Sequence, residues 1–162
     1  FGITVLGHDP FVQQSDAPDG VQMTSLDSIL TESDFVTLHA PLTPETTGMI
    51  GANELKLMKN DAFLINAARG PLIDEAALVE ALRAGEIGGA GLDVLEETAP
   101  PDDHPLYAMD NVIITPHTAF FSQASTIELE ERTAQEVVRV LNGEPPDIII
   151  NPEVLGKTRA GI

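Results

Sequence analysis

The 162-residue chain has no cysteine, which removes a disulfide framework and any thiolate site from consideration. Basic residues are scarce. Eight Lys and Arg stand against 26 Asp and Glu, for a formal net charge of -18 at pH 7. A charge of that sign repels phosphate backbones and anionic lipid, so nucleic acid and membrane surfaces are not expected partners. The acids are scattered along the chain and form no acidic tail. Acidity of this degree fits a high-salt cytoplasm or merely a soluble surface. Long apolar runs are missing too: none approaches the roughly 20 residues that span a bilayer, no signal-peptide pattern is read, and a cytoplasmic protein is expected. No metal site is expected.

What is present suits one domain of ordinary size, with 43% hydrophobic residues to build its core. Short apolar runs alternate with helical patterns. Strands are predicted at ITVLGH (3–8), FVTLHA (35–40), AFLINAA (62–68), GGAGLDVL (88–95) and NVIITP (111–116). Helices are predicted at 25–33, capped by Ser25, at 52–59 and at 74–85. The last of these has acids in its first turn, Leu78 and Leu82 one turn apart, and Gly85 at its end. A long amphipathic helix follows from about Ser125 to Asn142. This rhythm predicts an α/β, Rossmann-like, doubly wound parallel sheet. Runs such as FLINAA and VIIT are apolar on both sides of the pleat, as in strands covered on both faces.

In such sheets ligands bind beyond the carboxyl ends of the strands, so the polar residues there form a short list of candidates. The first strand ends in His8-Asp9-Pro10. Asp9 is either an acceptor for a ribose diol or a turn-forming Asp-Pro. The second ends in His39-Ala40-Pro41, where small residues admit a flat ring and where an ordinary loop is the plainer reading. The third ends in Ala67-Ala68-Arg69-Gly70. A guanidinium facing the crevice can hold a carboxylate at two points, and it can equally pair with a surface acid. Asp93 ends the fourth strand, followed by Glu96, Glu97 and Thr98, and His117 follows the fifth. A histidine exchanges a proton near neutral pH, and a carboxylate beside it favours its charged form and fixes its tautomer. An arginine, an acid and a histidine on three successive strand ends together supply an anion clamp, a base and the base's orienting partner.

Four segments in order, "LHAPLTPETTGMI", "LINAARGPLIDEAALVEAL", "GAGLDVLEE" and "NVIITPHTA", closely resemble the NAD-binding domain of the D-isomer-specific 2-hydroxyacid dehydrogenases. That group includes phosphoglycerate, glycerate and D-lactate dehydrogenases and the C-terminal binding proteins. The resemblance runs over nearly the whole chain. It implies hydride transfer between NAD(H) and a small D-2-hydroxyacid or 2-oxoacid, by a protein expected to be a homodimer. It implies that Arg69 binds the substrate's carboxylate and carbonyl oxygen. His117 would be the acid in reduction and the base in oxidation, paired with a glutamate. The implied cofactor contacts are Asp9, Ala40, Pro41, Thr46, Ala67, Ala68, Arg69, Asp93, His117 and Thr118. An alternative within the resemblance is a dinucleotide-sensing interaction protein like the C-terminal binding proteins, with little or no catalysis.

The sequence departs from the family pattern in two ways. The paired glutamate usually lies five residues after the aspartate matching Asp93, and here that position is Thr98. Threonine supplies no negative charge. Glu97 takes the role if the loop has absorbed one residue. Second, no G-x-G-x-x-G phosphate loop precedes the strand that ends at Asp9. The expectation is therefore a partial NAD-binding domain over 1–145, lacking its first strand and glycine-rich loop, with 146–162 a tail returning toward a substrate domain. Such a fragment is expected to bind NAD poorly by itself and to be inactive alone. Phe120 and Phe121, just after His117, are either an apolar wall of the substrate site or packing residues, and His104 and Tyr107 call for no role beyond structure.

Overall fold

A computed structural model describes residues 2–154, 156 and 157. Contacts divide the chain into two compact units, Phe1–Ala119 and Phe120–Ile162. The first contains six strands: β1 (Val5–Gly7), β2 (Val21–Met23), β3 (Phe35–Leu38), β4 (Phe63–Asn66), β5 (Gly89–Leu92) and β6 (Val112–Ile114). It also contains helices α1 (Leu26–Glu32), α2 (Ala52–Leu57) and α3 (Glu75–Ala84). All strand pairs are parallel, as the alternating pattern requires.

The strands form two sheets, β1-β2 and β3-β4-β5-β6. In the larger sheet Leu38, Asn66 and Leu92 share one register, and Leu92 faces Ile114, so four carboxyl ends finish level with one another. Helix ends follow the local chemistry. Ser25 accepts a hydrogen bond from the Ser28 N–H, and Asp74 accepts one from the Ala77 N–H. Gly85 closes α3 in the left-handed region at φ 68°, a conformation that costs glycine little.

The core lies on one face of the larger sheet. Val36, Leu38, Leu64, Ala90 and Leu92 are buried there with Leu30 of α1, Leu55 of α2, and Leu78, Val79 and Leu82 of α3. The alternate residues behave otherwise. Phe35, Phe63 and Ile113 are 67%, 41% and 72% exposed, and the two phenylalanine rings stack at 5.7 Å. Among the described residues, these three stay exposed on the face opposite α1 to α3. An apolar composition reports what a face requires, and here α1 to α3 supply cover on one side only.

Two further expectations change. A sixth strand, β2, pairs with β1 where no strand was predicted. Its three residues alternate half-buried and exposed, too short a pattern to stand out. The strands are also shorter than predicted; β4, for instance, ends at Asn66, whose side chain folds residues 66–69 into a turn. The tail expected over 146–162 falls in part on Leu155 and 158–162, which lie outside the described residues.

The second unit is built on one helix, α4 (Gln123–Leu141). It starts earlier than predicted because Ser122 caps it. The Ser122 hydroxyl accepts from the Ser125 N–H, and the Ser125 hydroxyl accepts from the Ser122 N–H. At the other end Arg139 reaches Asp147 at 2.7 Å, with Glu136 and Glu144 about it. Among the described residues no helix is long and apolar enough to cross a membrane.

Candidate active site

The site is assembled at the carboxyl ends of β4, β5 and β6. Neighbouring strands lie about 4.8 Å apart, so the three ends occupy a strip roughly 10 Å wide. Backbone hydrogen bonds continue past the ladder and tie the ends together. The Asp93 N–H donates to the Asn66 carbonyl at 2.9 Å, and the His117 N–H donates to the Asp93 carbonyl at 2.9 Å. Asp93 is thus the hinge point between the turn that carries Arg69 and the turn that carries His117.

Asn66 shapes the first of these turns. It is buried, at 1% exposure. Its Nδ2 donates to the Arg69 carbonyl at 2.9 Å, and its Oδ1 accepts from the Ala68 N–H at 3.0 Å. Both halves of the amide are used, which is what makes its burial tolerable. The sequence reading passed over Asn66. The available signal was one amide among the apolar residues of a strand. Arg69 itself is exposed, with Nη1 turned back onto the Ala68 carbonyl at 2.6 Å. Ala67 is exposed and Ala68 half-buried, so little side-chain bulk stands over this strand end.

Asp93 shapes the second turn. Its carboxylate is buried, at 6% exposure. Oδ1 accepts from the Thr115 hydroxyl and from the Thr118 N–H at 2.8 Å, and Oδ2 accepts from the Ala119 N–H at 2.9 Å. Burial works to raise this carboxyl. The hydrogen bonds from Thr115, Ala119 and Thr118, with His117 nearby, outweigh that and hold it below its ordinary value of 3.8. The anion gathers the 115–119 turn around itself and leaves His117 at the apex. His117 has φ 55°, and no other described non-glycine residue has a positive φ. A left-handed backbone at a residue other than glycine is strained and is concentrated at functional positions.

The remaining candidates are placed as follows. Ala40 is half-buried against the core, and Pro41 is exposed. Thr46 donates its hydroxyl to the Pro41 carbonyl at 2.6 Å and accepts from the Thr43 N–H at 2.8 Å, so its first task is to fold the 41–47 loop. Asp9 follows β1 in the smaller sheet. Its Oδ1 accepts from the Phe11 N–H at 2.8 Å, the local turn that the plainer sequence reading foresaw, and the side chain stays exposed. Glu97 is exposed in the loop after Asp93, and Thr98 beside it is exposed as well.

Gly70 follows Arg69 directly. Its role is closer approach. A Cβ built there would lie 1.9 Å from the Leu95 carbonyl oxygen and 2.6 Å from the Glu96 nitrogen. The Leu95–Glu96 peptide therefore rests directly on the arginine's turn, and only glycine fits beneath it.

The geometry has counterparts among known proteins. The family model described as D-isomer specific 2-hydroxyacid dehydrogenase, NAD binding domain, matches residues 1–119, the same span as the first unit. The glyoxylate reductase of Korarchaeum cryptofilum is 40% identical over 96% of this chain and 47% of its own length. The glycerate dehydrogenase of Methylorubrum extorquens is 45% identical over 91% of this chain and 46% of its own. The solved D-lactate dehydrogenase with NAD+ from Lactobacillus jensenii superposes with a TM-score of 0.83 at 38% identity, covering 92% of this chain and 48% of that one. The chain spans about half the length of these relatives. A family match over 119 consecutive residues, on a parallel sheet whose strand ends carry the arginine, aspartate and histidine in the expected order, decides the assignment: the chain belongs to the D-isomer specific 2-hydroxyacid dehydrogenases, through their NAD-binding domain.

Proposed function

We propose that the chain forms the cofactor-holding part of an NAD-dependent oxidoreductase that moves a hydride between NAD(H) and a D-2-hydroxyacid or its 2-oxoacid. The observation that carries this reading is the shared hinge at Asp93, which hydrogen-bonds the Arg69 turn on one side and the strained His117 turn on the other.

The residues fit a dinucleotide. Small side chains at Ala40, Ala67 and Ala68 leave room for flat rings at the strand ends, and the exposed Asp9 carboxylate suits a ribose diol. Thr46 and Pro41 would line the adenosine side, with Asp93 and Thr118 nearer the nicotinamide. When bound, NAD supplies or accepts the hydride. This chain's residues do the rest. Arg69, exposed and planar, would hold the substrate's carboxylate at two points and lie against its carbonyl oxygen, favouring the negative charge that develops there. His117 would give that oxygen its proton in reduction and remove it in oxidation. Glu97 would face the imidazole and stabilise its charged form. The reading sets the protein in the cytoplasm, where a dissolved NAD pool exists. It includes a homodimer, for which the exposed Phe35, Phe63, Ile127 and Leu141 offer apolar surface.

The direct test is NADH oxidation by the complete gene product with glyoxylate, hydroxypyruvate and pyruvate. Turnover with at least one is expected. Tight NADH binding with no turnover on any of them would remove the enzyme reading and leave a dinucleotide-sensing protein. Arg69→Ala should abolish turnover while sparing NADH affinity. Sedimentation of the complete protein checks the dimer.

A further inference from the structure

Glu75 is a half-buried acid that the site just described does not use. It occupies the first turn of α3, and its side chain is 16% exposed. Both of its oxygens are engaged, and both hold the same loop. Oε2 accepts from the Glu96 N–H at 3.0 Å, and Oε1 meets His104 Nε2 at 2.9 Å. These contacts lie near the two ends of the segment that runs from Asp93 to the short helix Pro105–Ala108. One carboxylate therefore clamps the segment at entry and exit.

The imidazole is fixed in turn. Its Nδ1 is buried without a hydrogen-bond partner, so Nε2, held against Glu75, is the ring nitrogen that anchors it. The ring meets Tyr107 edge-on at 5.6 Å, and the His104 N–H donates to the Pro101 carbonyl at 3.0 Å. A hydrogen bond between an imidazole and a carboxylate is charge-assisted, and a carboxylate at a helix N-terminus is favoured by the helix dipole.

The clamp matters because of what it grips. The Glu96 N–H belongs to the Leu95–Glu96 peptide that rests on Gly70. That peptide is pinned from two sides, by the arginine's turn and by Glu75, and the next residue is Glu97. We propose that Glu75 is a positioning residue. By holding the Leu95–Glu96 peptide against Gly70, it sets where the Glu97 carboxylate stands relative to Arg69 and His117. This would let the loop tolerate Thr98 at the usual glutamate position. The inference rests on the enzyme reading above for its catalytic half, and on geometry alone for the clamp.

The experiment compares Glu75→Gln, Glu97→Gln and the double variant in the complete protein. Amide hydrogen exchange over 94–99 reads the clamp without reference to activity. A glutamine at 75 has one acceptor oxygen where the carboxylate has two, so it cannot keep both the Glu96 N–H and the His104 contact as they stand, and Glu75→Gln should speed exchange across 94–99 and leave β3 to β5 unchanged. Turnover should fall roughly tenfold in kcat, as for a small displacement of a reacting group, with the Kd for NADH unchanged. Glu75→Gln should add nothing to the loss already caused by Glu97→Gln, because both act through one carboxylate. Unaltered exchange would remove the clamp. Faster exchange with full turnover, or losses that multiply in the double variant, would reduce Glu75 to a purely structural acid. A wild-type protein inert on every 2-oxoacid would take away the enzyme reading and the positioning role together, while the exchange rates would still decide the clamp.

Discussion

The two units of this chain are stabilised by different means. In the first, the core runs from Leu30 to Leu106, and three helices converge on one sheet face. In the second, α4 has no buried residue; Leu141 is 80% exposed, and Leu129 and Val138 are more than half exposed. The helix is supported by its own ends, through the Ser122–Ser125 reciprocal cap, the Glu128–Arg132 pair at 2.8 Å and the acids around Arg139. Exposed pairs of this kind contribute little each. Periodicity in sequence therefore states that a helix has an apolar side. It does not state that the side is covered. The candidate chemistry follows the same division, since every proposed site residue belongs to the first unit.

The comparison is open to attack at several points, the largest effect first. If chemistry resides in the first unit alone, His117→Gln should lower kcat/KM by roughly two to four orders of magnitude. Glu128→Gln on α4 should leave it unchanged, and steady-state assays of the complete protein would show both. Next in size is packing. Leu64 is fully buried in β4, so Leu64→Ala should cost about 3 kcal/mol in urea unfolding. Leu141→Ala, measured below the concentration at which copies associate, should stay within about 0.5 kcal/mol. A large loss at Leu141 would contradict its exposure.

The polar hinge comes third. Asp93→Asn cannot reproduce two acceptor oxygens, and a loss of about 1–3 kcal/mol at neutral pH is expected. The carboxyl is depressed below 3.8 in the folded state. Its contribution is thus complete above that value and drains away as pH falls through the folded value. The gap between wild type and Asp93→Asn should accordingly be full at pH 7 and narrow below about pH 4. A gap that widened on acidification would contradict the hydrogen-bonding account. The smallest effect is at the helix cap: Ser122→Ala should cost about 1 kcal/mol, confined to the second unit and visible as faster hydrogen exchange in the first turn of α4.

Much of this was legible in the residues. Strand cores, the caps at Ser25 and Gly85 and the three polar strand ends all follow from local pattern, because ladder pairing and capping are decided by a few neighbouring side chains. What was not legible depends on residues distant in sequence. Nothing near Gly70 announces that the peptide of Leu95 and Glu96 crosses it. The amide of Asn66 looks like a break in an apolar strand until its two partners are seen. Glu75 read as a helix-start acid, which it is, and its hold on Glu96 and His104 needed the fold. That Phe35 and Phe63 stay exposed while Val36 and Leu64 are buried was not legible either, because composition does not say what lies against a face.

The left-handed backbone at His117 carries one more consequence. A glycine would relax that turn at once, so, if His117 transfers the proton as proposed, robustness and chemistry pull in opposite directions there. A library of variants sorted for heat resistance should enrich replacements at 117, and the same library sorted for turnover should discard them. A single torsion angle would then mark where durability has been given up for the proton transfer proposed at this position.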